Sequence, residues 1–393
     1  MESNQKLGNG NCMRILVIVS REMGADCLNI YGGLWAETPF LDALAAESLV
    51  GRHHFSETPE ESALSKIWLK VLTAWGKSAP FRVSILPQGG KLPKASLFSG
   101  AQELSKSIAK KALSKAIAKA ALDELLLVEK NDLLWPWPTE LLATLDPGPA
   151  LGEEATEEEP SPLCPQLGPI DPLGSVARRL QAIRAQLLKE FDKDLEEIYE
   201  EVDKAWAGSP WALVITADVG FGLGEVAHVG PDPSRPLSQE TLRIPLVIHS
   251  PDLEPGLSVR SFTGHGTLAQ WLVLAREHKG PGIPPIVGLP QHLAQVKTKK
   301  GQWFALRDCH TTLIRCEENG PEGATGGDNT YEWYRQPEDW HEVNNLAVRE
   351  SDDCQTLVEA LDKFLNPEAS GSPAHQEGAY EGGVPFDRPD PCN

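Results

Sequence analysis

RILVIVSREMGADCLNIYGG, residues Arg14 to Gly33, decides the reading of the fold. Ile15–Val19 is an unbroken apolar run, where a half-exposed strand would alternate with polar residues. Such a run marks a strand covered on both faces, as in a parallel sheet with helices on either side. The strand ends in Ser20-Arg21-Glu22, with a glycine at Gly24. In parallel α/β sheets, ligands bind beyond the carboxyl ends of the strands. An arginine beside a glutamate at such an end is therefore a candidate site.

Similar patterns recur along the chain. ETPFLDALAAESLV, from Glu37, reads as a helix: Thr38-Pro39 supplies a cap and a first-turn proline, and Phe40, Leu41, Leu44, Ala45 and Leu49 follow at helical spacing. RVSILP near Arg82, ELLLVEK at 124–130, WALVITADVG from Trp211 and IPLVIHSP at 244–251 read as further buried strands. Residues 101–122 predict a helix with lysines on one side, and 175–205 a long charged helix. This alternation predicts a doubly wound, mostly parallel α/β sheet with helices on both faces over about 14–290. A small α+β subdomain is expected over 297–365, where QWFALRDCHTTLIRCEE reads as two strands and 352–365 as a closing helix. Pro, Gly and Glu crowd 146–175, the end of a divergent insert at about 80–175. That stretch and the tail 366–393 lack the apolar content of a core and read as linker and disordered tail.

The 393 residues carry 36 Lys and Arg against 56 Asp and Glu, a net charge of −20. So acidic a chain excludes sequence-independent nucleic-acid binding, which needs clustered cations. The lysine helix 101–122 has no interleaved aromatic residues. It reads as a solvated face, docking on the acidic stretch 153–159, and not as a membrane or nucleic-acid surface. Trp135-Pro136-Trp137-Pro138 suggests a stacking or partner surface, against plain packing under the linker. No apolar stretch approaches the roughly 20 residues of a membrane span, and the N-terminus lacks a signal-peptide pattern. Cys12, Cys27, Cys164, Cys309, Cys316, Cys354 and Cys392 are odd in number and irregularly spaced, without CxxC. They read as mostly reduced thiols of a cytoplasmic protein, and no zinc site is expected.

The motifs resemble those of the sulfatase family within the alkaline-phosphatase superfamily. SREMG, IYGG and ETPFLDALAAESLV stand where that family has DDxG, YG and TPNLDxLAxEG. ADVGFGLGEVAHVG and LRIPLVIHSPDLEPG stand for SDHGxxxGEHG and RVPLIIxxPG, and the run from Tyr331 to Ala347 answers the family's C-terminal pattern. The likeness covers 14–58 and 175–365. It implies a sulfuric ester hydrolase with a divalent cation, usually calcium, held by hard oxygen ligands, and a formylglycine nucleophile made within CxPSR.

The resemblance carries over unevenly. The paired aspartates fall on Arg21 and Glu22. Glu22 can ligate a cation, while Arg21 has no acceptor and its charge repels one by several kcal/mol, on the order expected at intermediate dielectric. Asp218 keeps its ligand position, but Val219 replaces the next. No CxPSR is present: the nucleophile position falls on Glu61 or Ser62, read by default as a helix-start acid or cap, and the following arginine on Ser65 or Lys66. His228 and Arg235 lie where the family has a histidine and a lysine near the sulfate. His228 and His265 read by default as structural or solvated loop residues.

The expectation is a vestigial centre in which Arg21 sits between Glu22 and Asp218, with no cofactor. The protein then acts by binding an anionic small molecule or a protein in the old cleft. Two other readings stand beside it: an active hydrolase of sulfate or phosphate esters using Glu22, Asp218, His228 and Ser62, and an interaction protein with a filled cleft. The bland alternative for Glu22 and Asp218 is a pair of strand-end acids capping neighbouring helices.

Overall fold

A computed structural model describes residues 13–33, 36–59, 81–85, 102–104, 106–120, 125–130, 133, 167–278, 282–318 and 329–366. Glu61, Ser62, Ser65, Lys66, Trp135–Pro138 and the acidic stretch 153–159 lie outside them. In chain order the first elements are β1 (Arg14–Ser20), α1 (Pro39–Ala46), β2 (Leu49–Phe55), β3 (Phe81–Ile85), β4 (Gln102–Leu104), α2 (Lys106–Lys119) and β5 (Leu125–Lys130). Then come β6 (Gly168–Pro169), α3 (Ser175–Trp206), β7 (Trp211–Ala217), β8 (His228–Val229), α4 (Gln239–Leu242), β9 (Leu246–His249), β10 (Ser258–Gly264) and α5 (His265–Glu277).

The main sheet has the order β10-β2-β9-β7-β1-β5-β3-β4. β9 pairs antiparallel with both neighbours, and the other strands share one direction. β1 lies between β5 and β7, with Val17 opposite Leu127 and Val214. Its unbroken apolar run follows from that place. Leu16 and Ile18 pack under α1, α2 and α3, against Leu41, Ile117, Leu187 and Phe191. Ile15, Val17 and Val19 face the other way, onto Leu268, Trp271 and Leu272 of α5.

α3 is amphipathic over nine turns' worth of chain: Leu180, Ile183, Leu187, Phe191, Leu195, Ile198 and Val202 repeat at three- and four-residue intervals and are buried. α2 docks on it through Lys110 with Glu197, and through Ser114 Oγ donating to Glu201 at 2.5 Å. The lysine helix is thus held partly by α3 through Lys110; the acidic stretch 153–159, expected as its dock, lies outside the described residues.

Four details differ from the sequence reading. Thr38 makes no side-chain cap. The Asp192 carboxylate of α3 instead accepts the N–H groups of Phe40 (3.0 Å) and Leu41 (2.8 Å) at the start of α1. Leu49 opens β2 and does not extend α1. Residues 102–104 are an edge strand, so the lysine helix starts at Lys106. Finally, β10 and α5 were not foreseen: SVRSFTG has no apolar run, and the start of α5 is capped by Thr267 Oγ1, which accepts the Gly264 N–H at 2.6 Å.

The C-terminal part holds β11 (His292–Lys297), β12 (Gly301–Arg307), β13 (Thr311–Glu318), β14 (Asn329–Arg335) and α6 (Ser351–Leu365). β11 to β14 form an antiparallel sheet in sequence order. One face (Val296, Trp303, Ile314, Tyr334) packs on Phe55, Leu237 and Phe262 of the main body. The other covers α6 through Leu306, Leu313 and Trp333. Among the described cysteines, Cys27, Cys316 and Cys354 are free thiols and Cys309 is disulfide-bonded. Among the described residues, no helix is long and apolar enough to cross a membrane.

Candidate functional site

β1 and β7 lie side by side and end together, so Arg21-Glu22 and Asp218-Val219 meet at the carboxyl edge. Arg21 N–H still donates to the Lys130 carbonyl of β5 at 2.8 Å. The chain then turns through Glu22, whose φ of 57° is left-handed. That turn aims the Glu22 N–H at Asp218 Oδ1 (2.8 Å), which also accepts the Val219 N–H (2.7 Å). Asp218 Oδ2 is taken by the Arg21 Nε; the two side chains are 8% and 3% exposed. The Glu22 carbonyl accepts from Arg184 Nη1 of α3 at 2.6 Å. Behind Asp218, the His265 ring places Nε2 3.1 Å from the Asp218 carbonyl and meets His54 edge-on at 5.8 Å between centroids. His54 Nδ1 lies 2.9 Å from Thr263 Oγ1, and burial holds this imidazole well below its ordinary pKa, hence neutral.

This donor set does not fit a calcium ion. Calcium takes about six to eight oxygen ligands. Here one carboxylate has both oxygens engaged, the neighbouring position carries a guanidinium, and Val219 offers no ligand atom. Of the expected cluster, the structure brings together Arg21 and Asp218, while Glu22 joins through its backbone N–H and carbonyl.

The remaining candidates go elsewhere. His228 lies on β8, with Nδ1 3.1 Å from the Gly230 carbonyl. Arg235 is claimed by the C-terminal sheet. Its Nη2 donates to the Glu342 carbonyl at 2.7 Å, and its guanidinium sits beside Glu332 and over the Tyr334 ring. His265 is the first residue of α5, buried, and not a loop histidine.

A cavity of about 380 Å³ opens beside this centre, lined in part by Gly24, Asp26, Tyr31, Arg184, Phe221, Gly222, Glu225, Glu240 and Trp340. Its walls depend on close backbone approach. A Cβ on Gly220 would collide with the Glu240 carbonyl, and one on Gly222 would sit 3.1 Å from Glu240 Oε2. Glu225 Oε2 accepts the Leu223 N–H at 2.6 Å. Burial raises the Asp26 carboxyl against the pull of Arg243, and burial with the nearby Glu225 and Asp26 charges raises Glu240 to about 8. Arg243 stacks over Trp340 (4.0 Å) and Tyr31 (5.4 Å), and burial lowers it to about 10. Burial pushes the Cys27 thiol up to about 12, which favours the protonated form near neutral pH.

Sequence reasoning passed over Asp26, Arg184, Glu225, Glu240, Arg243 and Trp340. One signal was present: Arg184 falls on the apolar stripe of α3 between Ile183 and Leu187, where a charge needs a buried partner.

No family model matches the chain, and no curated protein matches it in sequence. Solved structures do match. The phosphonate monoester hydrolase of Agrobacterium radiobacter is 14% identical with a TM-score of 0.61, over 91% of this chain and 96% of that one. A candidate sulfatase from Bacteroides fragilis is 13% identical with a TM-score of 0.61, over 95% and 98%. A 2-O GAG sulfatase is 12% identical with a TM-score of 0.56, over 92% of each chain. The chain therefore shares the fold of these solved sulfatases and of the phosphonate monoester hydrolase.

Proposed function

We propose that this sulfatase-fold protein has replaced its cation centre with an internal ion pair and acts by binding, not by ester hydrolysis. The observation that carries the reading is the buried contact of Arg21 with Asp218. It puts a fixed positive charge where the family resemblance calls for a metal ligand, and it occupies the Asp218 carboxylate, one of the two acids at that position. The loss of CxPSR points the same way.

The test is elemental analysis of the purified chain, with thermal denaturation in calcium and in chelator. The expected result is less than stoichiometric calcium and a melting temperature indifferent to both. Bound calcium, or a calcium-dependent rise that Asp218→Ala abolishes, would overturn the reading in favour of a rebuilt hydrolase.

A further inference from the structure

We infer that the cavity beside the strand ends binds a monovalent organic ammonium ion with a small apolar body, held among Asp26, Glu225 and Glu240. Arg21 and Asp218 are not in its walls, so the inference stands whether or not hydrolysis survives.

The charge balance comes first. Three carboxylates line the cavity, against the guanidinium of Arg184 in the wall and that of Arg243 behind Trp340 and Tyr31. While Glu240 keeps its proton these charges balance; once it ionises, one negative charge is left over, which a single bound cation neutralises. The second observation is independent of that count. Glu240 is 9% exposed and lines the cavity, and its Oε1 is fully enclosed with no hydrogen-bond partner among the described residues. Its Oε2 lies at the cavity wall, beside Gly222. A buried carboxyl with so little hydrogen bonding is costly to ionise unless something donates to it, and an ammonium N–H reaching Oε2 from the cavity does so. The rings of Tyr31, Phe221 and Trp340 suit an apolar body next to a cation, and the volume lies in the small-ligand range. A metal ion is disfavoured, because no group of three His, Cys, Asp or Glu among the described residues is placed to hold one.

The free protein keeps a proton on Glu240 near neutral pH, since burial, Glu225, Asp26 and Glu342 raise its pKa to about 8 while Arg235 lowers it. A bound cation favours the ionised carboxylate, so binding below that pKa expels up to about one proton, and the release fades as pH rises past it.

The probe is benzylamine, titrated calorimetrically into the full chain near neutral pH in two buffers of different ionisation enthalpy, with benzyl alcohol as its neutral counterpart. We expect the amine to bind at least about tenfold more tightly than the alcohol, about 1.4 kcal/mol, with proton release, and Glu240→Gln to abolish both the preference and the release. Equal binding of alcohol and amine, no binding of the amine, or amine binding without proton release would each overturn the inference. These comparisons use the unmodified chain, so they hold even if Glu240→Gln does not fold. No turnover or calcium is read, so failure here leaves the metal-free reading untouched, and the reverse.

Discussion

Arg21 and Asp218 form a charge pair taken out of water, and the energetics of such pairs are lopsided. Removing one partner strands the other at a cost of about 3–5 kcal/mol, whereas replacing both by well-packed apolar groups is often neutral. Arg21→Ala alone is therefore expected to lower unfolding stability by about that amount, and Arg21→Met with Asp218→Leu by much less; urea denaturation of the single and double variants checks this. If Arg21→Ala is no less stable than the parent, the pair is not the structural centre described. At this scale the sequence was readable where a motif located the residue: Arg21, Asp218 and Val219 all stand at the β1 and β7 ends. Asp26, Glu225 and Glu240 were opaque, because they sit in a short turn, a loop and the four-residue α4, whose neighbours come from distant segments. Burial, which makes Glu240 chemically unusual, has no local sequence signature.

Among the elements, the contact of α1 with α3 shows how a local rule gives way to a tertiary one. Thr38-Pro39 is a sound helix-start signal, and the helix does begin at Pro39. The cap, however, is Asp192, from 151 residues further along at its Leu41 bond. Two N–H groups on one buried carboxylate make Asp192→Ala costly, by about 1–2 kcal/mol on the scale of helix-cap losses, while Thr38→Ala should change stability by only a few tenths of that. Hydrogen exchange at Phe40 and Leu41 checks the assignment: their protection should fall in Asp192→Ala and hold in Thr38→Ala. The β1, β5, β7 and β9 strands were legible because covered strands are apolar throughout. β10 was not, since its outer half is exposed and its pairing with β2, not its composition, makes it a strand.

For the molecule as a whole, Glu342 joins the C-terminal sheet to the main body. It is 1% exposed; its carboxylate accepts from Arg307 Nη2 (3.0 Å) and from the Gln239 N–H of α4 (3.0 Å), and its carbonyl from Arg235. Glu342→Ala would leave Arg307 buried against the carbonyl of Leu237 alone among these partners, and is expected to cost about 3–5 kcal/mol. Limited proteolysis should then release the segment from β11 onward before the main sheet is cut; uniform digestion would refute the clamp. This junction explains why Arg235 serves architecture here, which its motif position alone did not reveal.

The central place of β1 also sets a timetable for biosynthesis. Its β7 edge is closed by a strand almost two hundred residues downstream, as the 196-residue separation of Glu22 and Asp218 shows. At the usual about 5–20 residues per second of translation, one side of this buried apolar strand waits on the ribosome for about 10–40 s before its partner emerges. A slow codon run placed before residue 211 would lengthen that wait.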